Sequence, residues 1–178
     1  MIQSGHKDYA QDSAGFGEDN WKYVKIDYEI NPHKPTLDGE PSYENIPHAL
    51  HNPEMPYWKA QDVRRYAYWS VFAGACGFTY GDNAVMQMYK PGDKGAYGVK
   101  EFWYQALNDP GSSEMIYLKK LMLSEPYFER VPDQTIIAEP NGRKYNFLIA
   151  TRGMSYLFVY DYTGKNFKIN MEKSQVNL

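Results

Sequence analysis

The segment from Lys34 to Glu44, KPTLDGEPSYE, contains the residues best suited to nucleophilic or acid–base chemistry. A short extended run ends in the tetrapeptide DGEP at residues 38–41, and Glu44 follows four residues after Glu40. The glycine and proline that flank Glu40 stiffen the turn and exclude a continuing helix. A carboxylate held on a stiff turn at a strand end is the group that cleavage of a glycosidic bond in a barrel requires.

Alternating strands and helices are predicted around this segment. Apolar residues at positions 21, 24 and 28 favour a helix over Trp21–Ile30, and a strand is predicted at Lys34–Leu37. The most regular helical pattern is Lys59–Ala75, whose small apolar face suits packing against a sheet, and Gly77–Gly81 is predicted as the next short strand. Two helical pieces are expected further on, at 98–107 and 113–123, whereas the proline-containing segment 45–57 and residues 83–89 are predicted as loops.

The hydrophobic period changes to two after Pro132. Turn signals separate four predicted strands, which is typical of an antiparallel meander. The strands are expected at 134–138, 145–151, 155–162 and 167–171.

Chain length and element order together predict two portions. The chain has 178 residues, whereas a complete (β/α)₈ barrel takes roughly 250. The predicted fold class is therefore α/β plus all-β. Residues 1–130 are expected to form the C-terminal portion of a TIM barrel, and residues 131–178 the first strands of an antiparallel β-sandwich.

Composition excludes several classes of function. A net charge of −3 argues against a nucleic-acid partner, and no apolar run is long enough for a membrane helix. The N-terminus shows no secretory signal peptide, and Cys76 is the only cysteine, so no internal disulfide is expected. The 17 Tyr, 8 Phe and 4 Trp fit either a packed core or surfaces that stack on sugar rings.

Three blocks in order carry a family resemblance. QSGH at 3–6, KPTLDGEPSYE at 34–44 and RRYAYWSVFAGACGFTYG at 64–81 resemble the last third of the barrel in DUF4038-type glycoside hydrolases. These are the apiosidase-like enzymes, glycoside hydrolase family 140 and its relatives. Residues 127–178 resemble the start of the β-sandwich that follows this barrel, a domain labelled collagen-binding, although that label does not indicate collagen binding.

The resemblance implies a retaining glycosidase that acts on a carbohydrate substrate, typically a side chain of a pectic plant polysaccharide. It implies Glu40 as the nucleophile, with His6 and Tyr80 as substrate contacts and Glu44 just behind Glu40. The acid/base carboxylate would come from an earlier strand that this sequence does not contain, so the chain alone is expected to be inactive. The resemblance also implies a periplasmic, extracellular or cell-surface location.

Each acidic residue also has a purely structural interpretation. Glu40 could be an exposed turn acid, and Asp38 is predicted to be structural, in an Asx-type turn with the following glycine. Glu44 could form a salt bridge with Arg64 or Arg65, or bind a sugar hydroxyl.

The remaining candidates are weaker. His6 could be an ordinary loop histidine, and Trp69 is expected in the core. Tyr80 is the better sugar contact, because the adjacent Gly81 would leave room for substrate. The spacing of the remaining histidines matches no metal motif, so neither metal nor cofactor is expected.

Two alternatives to a glycosidase remain open. One is a non-catalytic carbohydrate-binding module, for which the tyrosine-rich composition would supply the binding surface. The other is a degenerate remnant that persists by self-association through the open sheet edges of a partial barrel.

Overall fold

A computed structural model describes residues 1–11, 16–138 and 140–173. Its N-terminal portion is built on a three-stranded parallel sheet with β2 in the middle. The strands are β1 (Ile2–Gln3), β2 (Leu37–Glu40) and β3 (Gly77–Phe78). The chain is thus mixed α/β, as the strand–helix alternation predicts. The strand predicted at Lys34–Leu37 is displaced, because β2 begins at Leu37 and ends at Glu40.

Among the described residues, five α-helices surround or follow this sheet. They are α1 (Trp21–Tyr28), α2 (Ala60–Phe72), α3 (Asn83–Met86), α4 (Trp103–Ala106) and α5 (Pro110–Leu123). The prediction of a loop at residues 83–89 is wrong for α3. Its start is capped by Asp82, whose Oδ1 accepts hydrogen bonds from the backbone N of Ala84 at 2.8 Å and of Val85 at 3.1 Å.

Helix α2 lies at the centre of the hydrophobic core. Its Trp69 and Phe72 are buried together with Val24 of α1 and Leu118 of α5. Buried Ala67 on the same helix has a side chain short enough for close packing. The core position predicted for Trp69 is confirmed, and α2 is the element that joins the sheet to the other long helices.

The C-terminal portion contains an antiparallel three-stranded sheet in the order β4-β5-β6. These strands are β4 (Val131–Pro132), β5 (Ile149–Arg152) and β6 (Leu157–Tyr160). The predicted strands at 145–151 and 155–162 therefore exist in shortened form.

The other two strand predictions in this portion are wrong. Residues 134–136 form a 3₁₀ turn, because the Asp133 carboxylate accepts the backbone N–H of Thr135 at 3.0 Å and draws the chain inward. The segment 167–171 forms no strand and pairs only through one bridge between Ile137 and Ile169.

A buried ion pair of the N-terminal portion is contacted by a tyrosine of the C-terminal portion. Arg65 of α2 is fully buried, and its Nη2 donates to Glu18 Oε2 at 2.6 Å. The hydroxyl of Tyr145 donates to Glu18 Oε1 at 2.8 Å, and the Tyr145 ring lies 4.8 Å from the Arg65 guanidinium carbon. The C-terminal portion is therefore anchored to the helix that carries the core.

No helix within residues 1–11, 16–138 and 140–173 is both long enough and apolar enough to cross a membrane.

Candidate active site

Glu40 is the last residue of the middle strand β2, and its side chain is 44% exposed. Its Oε1 accepts a hydrogen bond from the Gln3 side-chain amide, and His6 Nε2 lies 3.7 Å from the same oxygen. The structure therefore brings together Glu40 and His6, two of the residues that the sequence singles out. Gln3 was not among the predicted site residues, although it belongs to the QSGH block.

The backbone of Glu40 is fixed by the segment after β1. The backbone N–H groups of Ser4 and Gly5 both donate to the Glu40 carbonyl, at 3.0 and 3.1 Å. A Cβ atom at Gly5 would overlap the Pro41 backbone, so only glycine permits this approach. The carboxylate of Glu40 is thus half-exposed on a main chain that is held in place.

His6 combines burial with an unusual backbone conformation. Its φ is 72°, and its backbone N donates to Ser42 Oγ at 2.9 Å. The ring packs edge-on against Tyr43, with 5.1 Å between the ring centroids. Burial lowers the pKa of His6, while the nearby Glu40 carboxylate acts in the opposite direction. The imidazole is therefore neutral at pH 7 and poised beside Glu40.

Asp38 lies two residues before Glu40 and is completely buried. Its carboxylate accepts hydrogen bonds from Ser4 Oγ at 2.8 and 2.9 Å, from Ser70 Oγ, and from Asn20 Nδ2 at 3.3 Å. Burial raises the pKa of Asp38, and these hydrogen bonds oppose the shift. Asp38 is structural, as predicted, but it ties the sheet to α1 and α2 from within a strand rather than shaping an Asx-type turn.

Glu44 is also buried, with 3% of its surface exposed. Its Oε2 accepts hydrogen bonds from the Tyr80 hydroxyl at 2.7 Å and from the Gly111 backbone N at 3.0 Å. Burial raises the pKa of Glu44; the carboxylates of Asp109 and Asp82 add to the rise, and the two hydrogen bonds counteract it. The Glu44 carboxylate therefore has its partners inside the protein.

The salt bridge considered between Glu44 and an arginine of α2 is wrong. Arg64 pairs with Glu114 on α5, and Arg65 pairs with Glu18. Consecutive residues point about 100° apart around a helix, so the two arginines leave α2 in different directions. Neither direction leads to Glu44.

Three carboxylates lie close to Asn45, near Glu44. The Asn45 side-chain amide donates to Asp109 Oδ2 at 2.5 Å, to Glu101 Oε1 at 3.2 Å and to Asp82 Oδ2 at 3.3 Å. Burial raises the pKa of Asp82 and of Asp109, and repulsion from a neighbouring carboxylate adds to each rise. Within the described part of the chain, no group of three or more acidic, His or Cys side chains has the arrangement of a metal site.

Two tyrosines shape the loop after β3. Tyr80 belongs to this loop, and Tyr43, from the segment after β2, packs against its Gly81. The hydroxyl of Tyr80 is committed to Glu44, and burial raises the pKa of Tyr80, with the hydrogen bond and charge of Glu44 adding to the shift. The room that Gly81 was expected to leave for substrate is filled by Tyr43, because a Cβ at Gly81 would overlap the Tyr43 ring. Tyr43 thus connects this loop to His6, and the sequence offered no signal for it beyond its place between Glu40 and Glu44.

A cavity of about 440 Å³ opens beside the QSGH segment. Its walls include Gln3 and His6, with Tyr23 of α1 and Leu50 of the 45–57 loop on other sides. Its volume lies in the range of small-molecule sites. The two groups that contact Glu40 therefore face a space that can hold a ligand.

The chain is similar to solved structures of glycoside hydrolases. A protein described as a glycoside hydrolase is 55% identical, with a TM-score of 0.89, and the match covers 93% of this chain and 39% of that protein. A glycoside hydrolase family 5 protein from Bacteroides vulgatus is 48% identical, with a TM-score of 0.93, and the match covers 97% of this chain and 39% of that protein. The chain thus spans about two fifths of the length of these relatives.

Comparison with protein families identifies the family more closely. Residues 1–129 match the family described as "Apiosidase-like, catalytic domain", and residues 131–177 match "Putative collagen-binding domain of a collagenase". A comparison with curated proteins gave no significant match. The chain belongs to the apiosidase-like catalytic-domain family, which confirms the resemblance seen in the sequence.

Proposed function

We propose that this chain supplies the nucleophile side of a retaining glycoside hydrolase, with Glu40 as the attacking carboxylate. The observation that carries the proposal is the position of Glu40: half-exposed, at the carboxyl end of the middle strand of a parallel sheet. Catalytic groups of (β/α)₈ enzymes occupy this end of the strands. A retaining mechanism needs one carboxylate that can reach the anomeric carbon.

Glu44 is a poorer nucleophile than Glu40. It is almost entirely buried, its Oε2 is engaged by Tyr80 and Gly111, and its raised pKa favours the neutral form. A buried carboxyl group whose Oε2 already accepts two hydrogen bonds cannot easily reach a sugar. We propose that Glu44 instead holds Tyr80, so that any effect of Glu44 on substrate passes through the tyrosine ring.

The neighbours of Glu40 fit a nucleophile that must be held in one orientation. The Gln3 amide donates to Oε1, which fixes the carboxylate plane. His6 is near the same oxygen and faces the 440 Å³ cavity, where its ring can donate to a sugar hydroxyl. His6 and Tyr80, which follow the strands on either side of β2, are thus proposed as substrate contacts.

The wider architecture follows from the same proposal. The three parallel strands with their helices are taken as the C-terminal portion of a (β/α)₈ barrel, in residues 1–130, and residues 131–178 as the start of a β-sandwich. The acid/base carboxylate would then lie on a barrel strand outside this chain, and the free edges of β1 and β3 would meet the remaining strands or a second copy. On the family resemblance we also propose a pectic side chain as substrate and a periplasmic, extracellular or cell-surface location.

The nucleophile can be tested by trapping it. In the protein that carries the remaining barrel strands, a 2-deoxy-2-fluoro glycosyl fluoride should form a stable glycosyl ester, and peptide mass mapping should place that ester on Glu40. Glu40→Gln should lower kcat on the order of 10³-fold or more, because the covalent step is lost. Glu54→Gln, on the exposed part of the 45–57 loop, is the matched control and should retain wild-type turnover.

Three results would contradict the proposal. An ester mapped to another carboxylate would remove Glu40 from the role of nucleophile. Robust hydrolysis by the 178-residue chain alone would show that no outside acid/base group is needed, since such a group typically contributes about 10²–10⁴-fold in rate. Saturable glycan binding that survives Glu40→Gln, without turnover in either protein, would favour a carbohydrate-binding module instead.

A further inference from the structure

A second cavity, of about 730 Å³, lies between the two portions of the chain. One wall comes from residues near the start of α1, including Tyr9, Trp21 and Lys22, and the other wall is the loop formed by residues 142–147. We call this space the junction cleft. The residues assigned above to the site around Glu40 form no part of its walls.

The loop wall of the junction cleft is held in place without a ligand. The Asn141 side chain bridges the two ends of the loop: its Oδ1 accepts from Gly142 N at 2.7 Å and Leu148 N at 3.1 Å, and its Nδ2 donates to the Leu148 carbonyl at 2.9 Å. Phe147 stacks on Trp21 with 4.2 Å between ring centroids and 5° between ring planes. Because the loop is already ordered, binding of a ligand would cost little additional conformational entropy.

The junction cleft is positively charged on a chain whose net charge is −3. Lys22, Arg143 and Lys144 line it, against the single carboxylate of Asp19. That carboxylate is already engaged by Lys22 Nζ at 2.8 Å and by the Tyr9 hydroxyl at 2.6 Å. In residues 1–11, 16–138 and 140–173, neither Arg143 nor Lys144 has an ion-pair partner, so both can receive an anion.

Aromatic rings lie next to these charges. Lys144 has a φ of 53°, a conformation that side-chain-bearing residues seldom adopt, and its Nζ sits 4.8 Å from the centre of the Tyr9 ring. Tyr145 packs edge-on against Tyr9, with 5.4 Å between ring centroids. A site that pairs exposed cations with aromatic faces matches a ligand that has both an acid group and an apolar ring face.

We propose that the junction cleft binds a carboxylate-bearing saccharide. Arg143 would take the carboxylate through its planar guanidinium, Lys144 would add a second charge, and the rings of Tyr9 and Trp21 would pack on the C–H face of the sugar. The cavity volume is in the range of small-molecule sites. The proposal goes beyond catalysis, because nothing in it depends on Glu40.

Isothermal titration of the full chain tests the charge requirement directly. Trigalacturonate and its methyl ester have the same sugar rings and differ in the charge of the carboxyl groups. The acid should bind at least about tenfold more tightly than the ester, because charge-assisted hydrogen bonds are roughly twice as strong as neutral ones. Added salt should weaken binding of the acid. Equal binding of acid and ester, or no binding of either, would overturn the proposal.

Paired substitutions then locate the binding. Arg143→Gln with Lys144→Gln should weaken trigalacturonate binding about tenfold or more. Lys119→Gln with Lys120→Gln, on the exposed face of α5, removes the same charge elsewhere and should leave binding unchanged. Circular dichroism of each variant checks the fold. Equal losses in both pairs would indicate a non-specific charge effect and overturn the proposal.

Glu40→Gln separates this inference from the proposed function. It should leave trigalacturonate binding at the junction cleft unchanged even where it abolishes turnover. Loss of trigalacturonate binding in Glu40→Gln, together with normal binding in the Arg143/Lys144 pair, would place the saccharide at the catalytic site and overturn a separate cleft. A failed trapping experiment on Glu40 would leave the cleft prediction standing.

Discussion

Three acids within seven residues of one another have opposite environments. Glu40 is half-exposed beside Gln3 and His6, which line a cavity, whereas Asp38 before it and Glu44 after it are buried. Each buried carboxylate is enclosed by donors that come from distant parts of the chain. The two buried carboxylates, Asp38 and Glu44, are closed sites that hold the elements together, and the half-exposed Glu40 between them is the open site for which we propose a catalytic role.

The difference arises from where the backbone leads each side chain. Strand β2 carries Asp38 towards the start of α1 and the last turn of α2, where Asn20 and Ser70 donate hydrogen bonds to its carboxylate. The chain after Pro41 returns to the sheet, since Glu44 N donates to the Gly81 carbonyl at 2.9 Å. This return of the chain to the sheet buries the Glu44 side chain.

The closed site at Asp38 should be the most costly to remove. Asp38→Ala leaves the buried donors of Ser4, Ser70 and Asn20 without their acceptor and opens a small cavity. We expect the free energy of unfolding to fall by about 3 kcal/mol or more. Urea denaturation followed by circular dichroism measures the change.

A polar isostere provides the control for this prediction. Asp38→Asn keeps one acceptor oxygen and the side-chain volume, so its loss should be smaller than that of Asp38→Ala. An alanine variant as stable as the wild type would mean that the network around Asp38 contributes nothing to holding α1 and α2 on the sheet.

The regular elements could be predicted from the sequence, because their signal is local. Helix α2 was expected at 59–75 and spans Ala60–Phe72, since its apolar residues recur with the helical period and Asp62 accepts the Lys59 backbone N–H at 3.0 Å near its start. Helix α3 was missed because a single side chain, that of Asp82, nucleates it in a segment without helical periodicity.

The open site could be anticipated in part, and the closed sites could not. Glu40 and His6 lie in recognisable motifs, so their proximity follows from parallel strands meeting at one edge. One of the two partners of Glu44 is Gly111, 67 positions away at the start of α5, and no sequence pattern links the two. Tyr43 fills the space beside Gly81 for the same reason, because only the fold brings them together.

The closed site at Glu44 should make the free energy of unfolding depend on pH. Its folded-state pKa is raised above the ordinary value of 4.5, so folding favours the protonated form. This contribution is fully present below pH 4.5 and is lost as the pH rises through the folded-state pKa. Glu44→Gln cannot ionise; it should be about 1 kcal/mol less stable than wild type at pH 4, and the gap should narrow towards pH 7.

Asp133 in the C-terminal portion provides a control of opposite sign. Burial acts to raise its pKa, but hydrogen bonds from Thr135 and Arg152 outweigh burial and hold the pKa below its ordinary value. Its contribution is present above the unfolded-state pKa and is lost as the pH falls through the lower folded-state value. The gap between Asp133→Asn and wild type should therefore widen with rising pH. Identical trends in the two variants would contradict the assignment of Glu44 as a closed site.

The open site should have the smallest effect on stability. Glu40→Gln keeps an acceptor for the Gln3 amide and leaves the backbone hydrogen bonds to Ser4 and Gly5 intact. Because Glu40 is half-exposed, the free energy of unfolding should stay within about 0.5 kcal/mol of the wild type. A rise in stability beyond that would strengthen the contrast between Glu40 and the two buried acids, since it would mean that Glu40 is kept at some cost to the fold. A loss as large as that of Asp38→Ala would contradict this contrast, since all three acids would then be structural.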